Sequence, residues 1–449
     1  MMVEPKLARW RTLPVQVAAI TALILIPVWY RFPYQPTILS PFYATRFWLF
    51  LPVLLTCGLF VLMGLPGVRT LASRPWRAAW AFLILALAVW MYASAGWAFR
   101  RDVDPALAVG AAVQFATAAI FAVTIASVRL PPAWVCAALV LGLFWNAILV
   151  GQQSALQGAA GGIWTSLGEF PIGINQPRIS VVQADGVRWL RPYGLLPHPN
   201  ILAGFLVMGV LAAMSWFANA NWRRWLPGGI VVSIGLWALL LTFSRGAYLS
   251  LAVGGIALLV LMKRSNGWTR QLAIACLVIL MIGVAFSVTY YPYLLARAGE
   301  GAETTEQYSL GERTELNNAA LVAIGESPIV GVGAGNVPWR SAYVLAERNS
   351  IVQGNYPHNV WLTVLGETGI IGVILFGGAI SCAIVAGVRA LRNGTADASF
   401  RAAVLAGFIA LIIAGMFDYY PVTFFHFQVG WWALAAAALA PSSAAVLDS

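Results

Sequence analysis

The strongest constraint on this chain is its series of apolar runs, at roughly 14–30, 47–64, 79–99, 105–127, 132–152, 199–217, 227–243, 246–262, 271–290, 369–388, 400–417 and 421–440. A helix needs about 20 apolar residues to cross a hydrocarbon core of ~30 Å. The pattern therefore predicts an all-α integral membrane protein of about twelve transmembrane helices. The stretch 227–262 is interrupted only at Ser244-Arg245-Gly246. As one helix it would reach roughly 50 Å at 1.5 Å per residue, so it reads as two helices with a tight turn at those residues. That turn puts Arg245 at an interface. Composition agrees: the chain is 60% hydrophobic and 10% charged, against about 45–50% and roughly 25% in soluble domains. A water-soluble globular fold, a disordered chain and a disulfide-stapled scaffold are excluded. The four cysteines (Cys57, Cys136, Cys276, Cys382) fall inside the spans without metal-ligand spacing, as small apolar residues do.

The runs divide the chain into five parts. Residues 1–152 hold the first five spans, 153–198 a long loop, and 199–290 four more spans. A second long loop follows at 291–358, and 359–449 hold the last three spans. The formal net charge of +11 would suggest nucleic acid in a soluble protein. Here it sorts by side. With both termini cytoplasmic, the inner side carries 15 basic residues and three acids, and the outer side 12 arginines and 13 acids. The surplus is a positive-inside topology signal, and no nucleic-acid partner is expected. The first span ends Trp29-Tyr30-Arg31-Phe32-Pro33, without a small-residue cleavage pattern, so it reads as retained.

Both long loops lie on the outer side, and long loops tend to be functional. They are expected to contain short helices. The first closes with Arg191-Pro192-Tyr193-Gly194-Leu195-Leu196-Pro197-His198-Pro199-Asn200. Pro199-Asn200 starts a helix there, where free backbone N–H groups could meet an anion. His198 reads equally as a site residue or as an interfacial aromatic. The second loop holds Gly311-Glu312-Arg313, an amphipathic helix from about Thr314 to Gly325, and the turn Pro328-Ile329-Val330-Gly331-Val332-Gly333-Ala334-Gly335-Asn336. That Gly-x-Gly-x-Gly lacks the strand–helix setting of a dinucleotide site and reads as a tight backbone passage. The loop ends in Tyr356-Pro357-His358-Asn359, entering a helix interrupted at Gly366-Glu367-Thr368-Gly369. A histidine at such a mouth is a candidate general base; a helix-end contact with backbone is the plainer reading. Glu367 either orients that base or caps the second half-helix. Asp102-Val103-Asp104 has the form of a divalent-cation motif, but beside Arg100 and Arg101 it reads first as a solvated loop. No Walker A motif and no Ser/His/Asp constellation is present.

Taken in order, Arg191-x-x-Gly194, His198-Pro199-Asn200, Ser244-Arg245-Gly246, Arg313, Pro328-x-x-Gly331-x-Gly333, His358-Asn359 and Glu367-Thr368-Gly369 form a series that resembles the O-antigen ligase family. That family takes in O-antigen ligases, Wzy-type O-antigen polymerases and related oligosaccharyltransferases. The resemblance covers about 185–390; the first 150 residues match only as spans. It implies a GT-C-type, inverting, metal-independent glycosyltransferase of the bacterial inner membrane, with no cofactor. Its donor would be an undecaprenyl-diphosphate-linked glycan and its active site would face the periplasm. The acceptor would be lipid A–core in a ligase or the growing lipid-linked glycan in a polymerase; the triplet at His198 and the number of spans lean to the ligase. Under the resemblance, Arg191, Arg245 and Arg313 hold the donor diphosphate and His358 activates the acceptor hydroxyl. His198, Asn200, Tyr193, Asn359 and Glu367 are further acceptor or sugar contacts. Trp164, Trp189, Trp339 and Tyr356 could stack on sugars, although interfacial aromatics are common in membrane proteins. A lipid-glycan transporter or flippase also suits twelve spans. It would be expected to carry ionisable residues near the bilayer midplane, and here the polar groups collect on one face.

Overall fold

The computed structural model describes residues 4–29, 47–98, 104–177, 179–217, 222–266, 270–299, 304–392 and 397–440. The N-terminal part comprises α1 (Glu4–Ile24), α2 (Phe47–Leu62), α3 (Val68–Ala72), α4 (Pro75–Ala93), α5 (Ala95–Ala98), α6 (Pro105–Ser127) and α7 (Pro132–Leu156). The first long loop holds α8 (Ile163–Ser166) and strands β1 (Val181–Ala184) and β2 (Val187–Leu190). Then come α9 (Pro199–Phe217), α10 (Trp222–Leu241), α11 (Arg245–Asn266) and α12 (Arg270–Thr289). The second loop contributes α13 (Tyr291–Ala298), α14 (Thr304–Glu326) and α15 (Val337–Glu347). The chain closes with α16 (Val360–Arg392), α17 (Ala398–Ala414), α18 (Tyr420–Thr423) and α19 (Phe425–Leu439).

A helix lies over each apolar run of the sequence. Among the described residues, seven candidate spans are by length and composition long and apolar enough to cross a membrane, and there are four shorter apolar helices. The protein is a mostly helical, multi-pass membrane protein with little sheet. Prolines open α4, α6 and α7, where the missing N–H has no intrahelical acceptor to lose. Asp104 is the N-cap of α6, its carboxylate accepting the Ala106 N–H at 2.8 Å. The Asp-x-Asp thus supplies a helix cap, and Asp102 lies outside the described residues. α9 is the hub, 94% of its apolar window being buried, and it packs on α7, α10, α11 and α17.

Three local differences from the sequence reading have physical causes. The first long loop contains a β-hairpin as well as a short helix. Asp185 and Gly186 both take positive φ (52° and 77°), which the right-twisted two-residue turn requires, and Val181 pairs with Leu190 across it. α14 begins ten residues ahead of Thr314, so Arg313 lies within the helix. Gly311 costs a helix interior only about 1 kcal/mol, too little to stop it. The last span but two begins earlier than 369, because α16 runs through a break at Gly369 (φ 64°, ψ −169°).

That break is filled from outside. The 328–335 turn inserts against it: Val332 N–H donates to Gly366 O (2.8 Å), Gly333 N–H to Glu367 O (3.0 Å), and Ile370 N–H to Pro328 O (2.9 Å). The Trp90 indole donates to Thr368 O at 2.9 Å. A broken helix at membrane depth persists only where protein satisfies its freed backbone groups. The fit leaves no room for side chains. A Cβ on Gly331 would lie 2.3 Å from the Glu367 carbonyl, and one on Gly369 would lie 2.1 Å from Ile329 O.

Candidate active site

The polar residues singled out in the sequence converge at one end of the bundle. Arg191 leaves β2 and is buried. Its Nε donates to Thr242 O (2.6 Å), in the turn between α10 and α11, and its Nη2 donates to Asn200 Oδ1 (2.6 Å), at the start of α9. Asn200 Nδ2 donates to Asp418 Oδ2 at 3.1 Å. Asp418 Oδ1 lies 3.6 Å from His358 Nδ1 and accepts the Tyr419 N–H at 2.9 Å. At 3.6 Å the His358 contact is an electrostatic pairing rather than a formed hydrogen bond. A continuous chain, Arg191–Asn200–Asp418–His358, thus joins the ends of both long loops.

The segment 415–419, between α17 and α18, holds this arrangement in register. Val360 N–H donates to Gly415 O (2.7 Å), Asn359 Nδ2 to Met416 O (3.2 Å), and Arg313 Nη1 to Phe417 O (3.2 Å). Asn359 also caps α16, its Oδ1 accepting the Trp361 and Leu362 N–H groups at 2.8 and 3.1 Å. His358 is therefore fixed against Asp418 by the helix that follows it. Tyr419 packs on the imidazole, ring centroids 5.3 Å apart.

Beside this chain opens a cleft lined by Asn200, Ser244, Arg245, Arg297, Arg313 and Asp418 among others. Burial, followed by the charges of Arg297 and Arg313, brings the Arg191 guanidinium down to about 9; it stays cationic at neutral pH. Burial alone would raise the Asp418 carboxyl. The facing His358, with Arg313, outweighs burial and holds Asp418 below the ordinary carboxylate range. Asp418 therefore stays ionised. Among the described residues no group of three or more His, Cys, Asp or Glu has a metal-binding arrangement. An anion in this cleft would meet guanidinium groups instead, which fork onto oxyanions.

Other expected site residues are occupied internally. His198 Nδ1 accepts the Asn200 N–H (3.1 Å) and Nε2 meets Ser180 Oγ (3.0 Å). With Nδ1 an acceptor, the ring is the Nε2–H tautomer and stays neutral. Burial and the Arg191 charge lower it to about 3. An unfolded histidine titrates near 6.5. Between these values the unfolded chain binds one more proton, so stability falls as pH drops through that window. The unfolding midpoint is expected to fall on acidification from pH 7 to 4, and to fall less in His198→Gln. Parallel curves for the two proteins would remove His198 from this role.

Tyr193 is buried, its hydroxyl accepting the Ser180 N–H at 3.0 Å. Glu367 is buried beside Gly335 and Tyr356, so the carboxylate facing His358 is that of Asp418. Trp164 stacks on Trp145 and Trp189 packs on Tyr290 and Tyr293. Tyr356 lies against Tyr419, while Trp339 is exposed. Two residues absent from the sequence reading matter here. Asp418 is the one acid in 398–440, and an ionisable group at the end of an apolar run is itself a site signal. Gln153, at the end of α7, accepts the Tyr193 and Gly194 N–H groups (both 2.9 Å) and donates to Gly194 O (3.1 Å) and Glu169 Oε1 (2.8 Å). It fixes the turn that carries Arg191; nothing local in the sequence marks it.

Fold and site together define a multi-pass membrane protein with an arginine-lined cleft beside a His–Asp pair. Residues 230–377 match the family model of the O-antigen ligases, Wzy_C. The family comprises glycosyltransferase-like membrane enzymes and implies lipid-linked glycan substrates. No curated protein matches the chain. The matched stretch holds Arg245, Arg297, Arg313, His358 and Glu367. Asn200 and Asp418 come to the same cleft from outside it, and Arg191 is joined to it through Asn200.

Proposed function

We propose that this protein is an O-antigen ligase that moves a glycan from undecaprenyl diphosphate to a hydroxyl of lipid A–core. Transfer takes place with inversion, without a metal, on the periplasmic face of the bacterial inner membrane. The observation that carries this reading is the meeting of the arginine cleft with His358 across the 415–419 segment. The positive-inside pattern supports cytoplasmic termini and an outward-facing cleft.

The chemistry needs two things. The acceptor O–H loses its proton to His358 as its oxygen attacks the anomeric carbon. The bond from that carbon to the diphosphate oxygen breaks, and the diphosphate leaves with the electron pair. Arg191, Arg245 and Arg313 stabilise the charge growing on the leaving group. Asp418 faces the imidazole and balances the positive charge that forms there. A diphosphate is already a good leaving group, so cations and one base suffice.

A Wzy-type polymerase, which extends the lipid-linked glycan, is the second reading, since the family model is shared. One assay separates them: purified protein receives an undecaprenyl-diphosphate-linked glycan with and without lipid A–core. The ligase transfers only when the core is present, and excess EDTA leaves that transfer intact. Chain growth without the core identifies a polymerase. Transfer lost to EDTA would overturn the metal-free mechanism, and no transfer in any arm would favour a lipid-glycan transporter.

A further inference from the structure

The short helix α13 has one aromatic flank and one cationic end. Tyr290, its N-cap, stacks on Phe286 (ring centroids 4.7 Å) and meets Phe243 and Trp189 edge-on; Tyr293 packs beside it. The last turn carries Arg297 and closes at Gly299 in the left-handed region. Arg245 Nη1 donates to the Arg297 backbone carbonyl at 2.5 Å, tying the end of α13 to the start of α11. Arg297 thus lines the cleft with Arg245 and Arg313, and its charge acts on Arg191 and Tyr248.

Three guanidiniums line the cleft, those of Arg245, Arg297 and Arg313, and Arg191 stands behind Asn200. Asp418 is the one acid among the lining residues, and Asn200, Tyr419 and His358 already engage it. Like charges brought together at a partly desolvated surface repel by kcal/mol amounts unless an anion joins them. A diphosphate ester presents several oxyanion edges to such a cluster, enough for more than one guanidinium to fork onto it.

We propose that Arg297 is a fourth cation binding the diphosphate, presented to it by α13, whose aromatic flank anchors the helix on the bundle. The proposal rests on the diphosphate reading of the cleft given above. A cation in a last helical turn also satisfies the helix dipole, and lysine does that as well as arginine. Only arginine forks onto a diphosphate, so Arg297→Lys separates the two roles. The bond from Arg245 goes to the Arg297 backbone and survives any side-chain replacement.

The test is calorimetric titration of the full-length protein in detergent with inorganic pyrophosphate. Arg297→Gln is expected to bind it about tenfold more weakly, as loss of a charge-assisted hydrogen bond does, and Arg297→Lys severalfold more weakly. Arg348→Gln, at the C-terminus of α15 and away from the cleft, should bind as the wild type does. If Arg297→Gln and Arg297→Lys match the wild type while Arg245→Gln or Arg313→Gln weakens binding, Arg297 is overturned and the cleft reading stands. Should the wild type bind no pyrophosphate, or should all these variants bind it alike, both fall. If Arg297→Gln does not fold, Arg297→Lys decides: wild-type affinity there overturns the proposal.

Discussion

Replacement of His358 by alanine is expected to lower glycan transfer by about 10²–10⁴-fold, the range over which a positioned general base acts. The loss should appear in kcat with little change in the donor KM, because the imidazole meets the acceptor proton and the arginines meet the donor. The protein should remain folded. His358 is half-buried at a helix entrance, and the cap of α16 is made by Asn359, whose Oδ1 takes the Trp361 and Leu362 N–H groups. Its backbone neighbours stay tied to the 415–419 segment through Val360 and Gly415. Single-turnover transfer measured on detergent-purified enzyme with an unshifted unfolding midpoint is the relevant comparison. Near-normal turnover in His358→Ala would remove the histidine from the chemistry and leave the arginine cleft as a binding site only.

Why His358 and the arginines were legible in the sequence, and Asp418 and Gln153 were not, follows from where each kind of information resides. Apolar runs fix helices through a solvent property that acts on each segment alone, so α6, α7 and α9 lie where the hydropathy puts them. Pro199, Pro357 and the glycines at 331 and 369 impose backbone geometry locally, and the helix mouth and the break in α16 could be expected from them. Arg191 and His358 stand out because charged or titratable groups beside such punctuation are rare in an apolar chain. Partnership is a different matter. Asp418 lies 60 residues beyond His358 and 218 beyond Asn200, and only the packing of α9, α16 and α17 brings the three together. Gln153 looks like an ordinary polar residue at a helix end until the turn at Gly194 folds onto it. The hairpin is the opposite case: Asp185-Gly186 is a strong local signal, set in a chain whose apolar runs are otherwise all helical. Glu367 shows the limit of proximity along the chain. It is nine residues from His358, yet its carboxylate is buried beside Gly335 and Tyr356, and a distant aspartate takes the place beside the imidazole.

Asp418→Asn tests that substitution of partners directly. The amide keeps the volume of the carboxylate, so the packing between α17 and α18 need not change. Its charge is gone, however, and its single oxygen must choose between the Tyr419 N–H and the Asn200 amide, both of which the carboxylate accepts. When His358 takes the acceptor proton, the wild-type site places an anion 3.6 Å from the new positive charge. At an effective dielectric of 20 that attraction is about 4–5 kcal/mol, an upper bound because the asparagine dipole and water replace part of it. A loss of roughly 10²–10³-fold in kcat follows, taking each 1.36 kcal/mol of barrier as tenfold. Donor affinity should move the other way or not at all. Removing the one acid from a cleft lined by Arg245, Arg297 and Arg313 makes it more attractive to a diphosphate, so the donor KM should hold or fall. An interaction made only in the transition state gives this pattern, a fallen kcat without weakened ground-state binding. A purely structural aspartate would instead lower the unfolding midpoint and weaken donor binding together, because Asn200 and through it Arg191 would lose their anchor. Parallel measurement of kcat, donor KM and unfolding midpoint in Asp418→Asn and Asn200→Ala distinguishes the two. An unchanged kcat in a fully folded Asp418→Asn protein would show that His358 works without a charged partner.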